Sequence, residues 1–105
     1  MSDAIIVIAT FTPHAGRQED LIAALRATVP AIHQEDGCLL YSVNRGRDGS
    51  VVQIEKWANR ELLDQHSAGE PVAALKRAIA PLLARPQELA VLTAVPVGDP
   101  NKGAL

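Results

Sequence analysis

Apolar residues first cluster in Ala4–Phe11 (A-I-I-V-I-A-T-F), a short run rich in β-branched side chains and bounded by Pro13 and Gly16. Its length and branching predict a largely buried strand. From Arg17 to Gln34 the period changes. Leu21, Leu25, Thr28 and Ile32 recur at helical spacing, Ile22 and Val29 widen the stripe, and Glu19, Asp20 and Arg26 fall outside it. Acidic residues in the first turn suit the positive end of the helix dipole. Pro30, late in the helix, is expected to kink it or end its regular part.

Asp36-Gly37 is a stop signal, and an extended run follows from Cys38 to Arg45. Gly46-Arg47-Asp48-Gly49-Ser50 is turn chemistry leading into a second extended run, Val51 to Ala58, so the pair reads as an antiparallel hairpin. Asn59 can cap a short helix through Leu62, Leu63 and His66, which Ser67-Ala68-Gly69-Glu70-Pro71 then breaks. A further helix places Val72, Leu75, Ile79, Leu82 and Leu83 on one stripe, with Pro81 as an irregularity near its end. Gln87 to Val95 is the last strand, and Pro96–Leu105 is a tail expected to fray unless a neighbour holds it.

The order β-α-β-β-α-β predicts an α+β, ferredoxin-like fold: a four-stranded antiparallel sheet with helices on one face. One domain is expected over residues 1–95, with 96–105 as the C-terminal tail. The first and last strands carry apolar residues at successive positions, which calls for burial on both sheet faces. One chain supplies helices for only one of them. A homodimer, packed sheet against sheet, resolves the mismatch.

Composition narrows the function. With 105 residues and a net charge of −2, there is room for one domain, and its Lys and Arg are too scattered for a nucleic-acid surface. No apolar run approaches the roughly 18 residues of a membrane span. Met1-Ser2-Asp3 lacks the basic start of a signal peptide, so a cytoplasmic location is expected. The single cysteine, Cys38, excludes an intrachain disulfide and a cysteine-rich metal site. His14 and His33 look solvent-facing and have no partner at metal-ligand spacing, and no dinucleotide fingerprint is present.

Aromatic residues are scarce, only Phe11, Tyr41 and Trp57, which draws attention to where they fall. Glu55 and Trp57 lie two apart on a strand and so share a sheet face. Nine residues after Trp57, His66 falls on the Leu62/Leu63 face of the short helix. Tyr41, on the neighbouring strand, can add a phenol. A carboxylate, an indole, an imidazole and a phenol can therefore meet near one end of the sheet, in a mostly apolar cavity with a few polar groups. Taken singly, each also has a structural explanation: core packing for Trp57 and Tyr41, a cross-hairpin ion pair for Glu55, a satisfied helix histidine for His66.

Four motifs carry a family resemblance: P-H-A-G at Pro13–Gly16, E-D-G-C-L-L-Y at Glu35–Tyr41, I-E-K-W at Ile54–Trp57 and L-L-D-Q-H at Leu62–His66. From Ile5 to about Val95 the chain resembles the antibiotic biosynthesis monooxygenase domain family, which includes quinol monooxygenases. The resemblance implies a dimeric α+β barrel with a pocket between sheet and helices. It also implies oxygenation of a quinol-like or polycyclic aromatic substrate by dioxygen, with no metal, flavin or haem. On the matching positions, His66 would be base or donor at a substrate hydroxyl. Trp57 would be a donor and packing wall, Glu55 would orient a neighbour, and Tyr41 and Phe11 would line the cavity. A haem-degrading branch of the same fold is marked by an Asn on the first strand and a His on the second long helix. Neither is present here, so haem would lack its axial imidazole. Two other functions fit the same pocket: a ligand-binding barrel without turnover, and a cofactor-free isomerase or lyase using His66 as base.

Overall fold

The first apolar run forms strand β1 (Ile5–Phe11) in the computed structural model, which describes residues 3–105. Helix α1 (Gln18–His33) follows, then the hairpin β2 (Cys38–Arg45) and β3 (Val51–Trp57). Two helices come next, α2 (Arg60–Ser67) and α3 (Glu70–Ile79), the latter tightening into a 3₁₀ turn at Ala80–Leu82. Strand β4 (Glu88–Leu92) completes an antiparallel sheet of order β2-β3-β1-β4. The four-stranded ferredoxin-like sheet expected from the sequence is present, as is the break between the short helix and the one after it.

Alternation along the strands sets the layers. On β3, Val51, Gln53, Glu55 and Trp57 are buried toward the helices, while Val52, Ile54 and Lys56 are half-buried on the opposite face. The α1 stripe Leu21, Ile22, Leu25, Val29 and Ile32 packs on this surface together with Phe11, Leu75 and Ile79. Each such side chain removed from water contributes roughly 1.5–3 kcal/mol before the entropy of ordering is counted.

The chain ends each element by local chemistry. Asn59 caps α2, its Oδ1 accepting from Leu62 N at 2.9 Å. Gly37 turns the chain between α1 and β2 at φ 79°, where an added Cβ would lie 2.5 Å from Leu62 Cδ1. Only glycine combines that backbone with that closeness. Its carbonyl accepts from Ala58 N at 2.9 Å, tying the start of β2 to the end of β3.

Several expectations need correction. Pro30 does not end or split α1, which continues to His33. Proline removes one intrahelical donor, that for the carbonyl of Arg26, on an exposed side of the helix where water replaces it. The break between α2 and α3 is shorter than Ser67–Pro71, because Glu70 and Pro71 already belong to α3 and proline in a first turn gives up no bond. Strand β4 stops at Leu92 rather than Val95, its register against β1 ending at the Ile6–Leu92 pair. Nor is β4 buried on both faces within one protomer: all five residues are exposed. The tail does not simply fray. Gly103 N donates to Asp99 O at 2.8 Å, and Lys56 Nζ donates to Leu105 O at 2.8 Å, laying the chain end against the helix-free face.

Candidate functional site

Three strands and two helices bring the polar side chains together. Tyr41 on β2 is directly opposite Glu55 on β3, and Val7 on β1 is opposite Glu55 from the other side. These residues, with Ala9 and Gln53, floor a small cavity of about 70 Å³ roofed by Leu63, His66, Val72 and Leu75 of α2 and α3. His66 reaches it because α2 starts only three residues after Trp57 and places its last turn above the end of β3.

His66 is 5 % exposed and held from three sides. Its Nδ1 lies 2.8 Å from Oε2 of Glu35, its ring stacks on Trp57 at 4.3 Å, and the Tyr41 ring stands edge-on at 5.8 Å. A carboxylate at Nδ1 keeps the proton there, which leaves Nε2 of the neutral ring as the acceptor. That nitrogen lies 3.9 Å from Oε1 of Glu55, beyond a hydrogen bond.

Glu55 is buried on the sheet and accepts from Trp57 Nε1 at 3.0 Å. Burial raises its pKa above the ordinary carboxyl value, opposed by the Trp57 hydrogen bond and the charge of His66. The Tyr41 phenol is pushed well above its ordinary pKa, by burial first and then by the Glu55 charge, so it stays protonated. Gln53 Nε2 donates to the Tyr41 oxygen at 3.1 Å, which frees the phenol O–H to donate elsewhere. Gln53 Oε1 is buried with no hydrogen-bond partner among the described residues. An unmatched buried oxygen costs about 1–3 kcal/mol, which a donor placed in the cavity would recover.

Of the residues singled out in the sequence, Glu55, Trp57, His66 and Tyr41 converge and Phe11 does not. Phe11 is fully buried at the far end of β1, opposite Val51, and does not line the cavity. It lies four residues beyond Val7, about 13 Å along the strand. The Trp57 N–H is engaged by Glu55 inside the protein, so this indole braces the carboxylate and the imidazole. Glu35 and Gln53 were not singled out. Glu35 follows α1 in a loop, 31 residues before His66, and nothing in its surroundings in sequence marks it as an imidazole partner. Gln53 had a usable signal: it is the same-face neighbour of Glu55, two residues earlier on β3. Burial and the nearby Glu35 charge raise the Cys38 thiol pKa, which disfavours the thiolate. No group of three His, Cys, Asp or Glu side chains among the described residues is arranged to hold a metal ion.

Comparison with known proteins identifies relatives of the whole arrangement. A protein of Mycobacterium tuberculosis is 30 % identical over 91 % of this chain and 97 % of its own, with a TM-score of 0.77. A Pseudomonas aeruginosa protein is 30 % identical over 90 % and 97 %, at TM-score 0.79. A structure described as an antibiotic biosynthesis monooxygenase is 28 % identical over 88 % and 99 %, at TM-score 0.78. No curated protein matches the chain. The family model for antibiotic biosynthesis monooxygenase matches residues 4–78, from the start of β1 almost to the end of α3. With a match across most of its length, the chain belongs to the antibiotic biosynthesis monooxygenase family, and its general role is of the monooxygenase type.

Proposed function

We propose that this protein oxygenates a quinol or related hydroxyaromatic compound, using no bound cofactor, with His66 as the base. One observation carries the proposal: a buried imidazole whose Nδ1 is held by Glu35 at 2.8 Å, leaving Nε2 to face the cavity. The substrate hydroxyl passes its proton to the Tyr41 oxygen as the phenol gives its own to Nε2, and Glu35 steadies the imidazolium that results. The phenolate or quinol anion is electron-rich and reduces dioxygen directly. One oxygen atom enters the ring and the other leaves as water, so a quinol and dioxygen give a hydroxyquinone and water. Both reducing equivalents come from the substrate.

The other polar groups have supporting roles in this scheme. Gln53 Nε2, donating to the Tyr41 oxygen at 3.1 Å, holds the phenol in place for this relay. Trp57 fixes Glu55, and the two limit how far the His66 ring can turn.

The working form is proposed to be a homodimer. Strand β4 exposes Leu89, Val91 and Leu92 at 57 %, 58 % and 44 %, and the tail exposes Val95 and Val97 at 75 % and 70 %. Exposed apolar side chains on both faces of an edge strand, Leu89 and Val91 on the helix side and Leu92 on the other, are what a second copy would cover.

Oxygen uptake by purified, chelator-treated protein with a panel of hydroquinones and anthrone-type phenols tests the proposal. Protein-dependent uptake with hydroxyquinone formation is expected. Substrate loss that proceeds equally under nitrogen would identify an isomerase or lyase, and tight binding without turnover a ligand-binding barrel.

A further inference from the structure

The cavity beneath His66 holds about 70 Å³, room for roughly two waters at about 30 Å³ each. An aromatic ring system cannot fit there, so the body of any ring-bearing ligand must sit elsewhere. A second hollow of about 460 Å³ lies between α1 and β2, within the usual range of small-molecule sites, about 300–1,000 Å³. Its floor is apolar, made by Ile22, Leu25 and Val29 of α1 and Val43 of β2. Tyr41 lines both spaces. With His66 only 5.8 Å from the Tyr41 ring, a single phenol separates the hollow from the base.

Charge adds a direction. Arg26 and Arg45 line the hollow, and one carboxylate, Glu19, answers them both. Glu19 is already held by Arg45 through two hydrogen bonds of 2.8 and 2.9 Å, whereas Arg26 is in no ion pair among the described residues. The hollow therefore keeps a net positive charge at the α1 rim, at a guanidinium shaped to grip a carboxylate with two parallel bonds.

We propose that the α1–β2 hollow is the seat of an aromatic hydroxy acid of one or two rings. The rings lie on the Leu25, Val29 and Val43 floor, the carboxylate meets Arg26, and the hydroxyl points at the Tyr41 partition. This assignment rests on the oxygenase proposal for its purpose, but the binding it asserts can be measured without turnover.

Calorimetric titration with 1-hydroxy-2-naphthoate and with neutral 1-naphthol provides the test, on wild type and two variants. Arg26→Gln alters an exposed side chain and leaves the fold intact. Val43→Trp fills the hollow, and its melting curve establishes that it folds. Arg26→Gln is expected to weaken the naphthoate about fivefold while changing 1-naphthol by less than about twofold. Val43→Trp is expected to abolish binding of both probes. Failure of wild type to bind the naphthoate, or equal naphthoate affinity in wild type and Arg26→Gln, overturns the proposal. Binding as expected, with no oxygen uptake on any phenol, leaves the hollow assigned and removes the oxygenase proposal alone.

Discussion

His66 is fixed by residues far apart in the chain, and each can be tested separately. The Glu35 carboxylate at Nδ1 is the contact that orients the ring, so Glu35→Gln should slow turnover about tenfold, the cost of roughly 1.4 kcal/mol in the transition state. Its melting temperature should change little, because glutamine keeps the side-chain volume and an oxygen that can accept from Nδ1. A matching loss of stability and activity would instead assign Glu35 to the fold. Glu55 makes a prediction of opposite sign. Its pKa is raised in the folded protein, so the native state binds the proton more tightly than the unfolded chain does. Its contribution to stability is complete below the ordinary carboxyl value and declines as pH rises through the folded value. Glu55→Gln, which can still accept from Trp57, should therefore raise the melting temperature at neutral pH. That advantage should shrink as the pH is lowered toward 4. A constant difference across the range would show that charge is not the cause. Residue chemistry was legible wherever the partners share a strand or an adjoining helix, as Glu55, Trp57 and His66 do. The Glu35 contact crosses 31 positions, and only the fold reveals it.

At the scale of elements, boundaries set by local chemistry were readable and those set by tertiary pairing were not. β2 runs from Cys38 to Arg45 as its flanking turns require, and Asn59 caps α2 through its own side chain. β4 is shorter than its apolar run because strand length depends on the partner, and β1 begins at Ile5. Pro30 deceived for a related reason: burial of Val29 and Ile32 against the sheet outweighs one lost hydrogen bond. Two substitutions probe these joints by thermal or denaturant unfolding. Asn59→Ala should cost about 1 kcal/mol through loss of the α2 cap. Gly37→Ala should cost about 1–3 kcal/mol from the positive φ alone, with the Leu62 clash adding to it. Because α2 carries His66 and packs over Gly37 through Leu62, Gly37→Ala should also lower activity, whereas a silent substitution would mean that the turn is not what seats the helix.

Across the whole molecule, helices cover one sheet face, and the chain end lies against the other. The sequence anticipated this imbalance from the apolar positions of β1 and β4. It could not show that residues 93–105 fold back toward Lys56, since that contact depends on a backbone carbonyl rather than on a side-chain pattern. Light scattering at micromolar concentration should give about twice the chain mass of 11.2 kDa, as burial of a two-faced sheet requires. A stable monomer would show that the exposed β4 residues need no cover. No helix among the described residues is long and apolar enough to cross a membrane. The most direct test of the oxygenase proposal is the product formed from a quinol under ¹⁸O₂, measured by mass spectrometry for wild type and His66→Ala at equal folded concentration. Wild type should place one labelled oxygen in the hydroxyquinone, and the folded His66→Ala protein should form it about 10²–10⁴-fold more slowly. Unlabelled product, or equal rates in the two proteins, would contradict it.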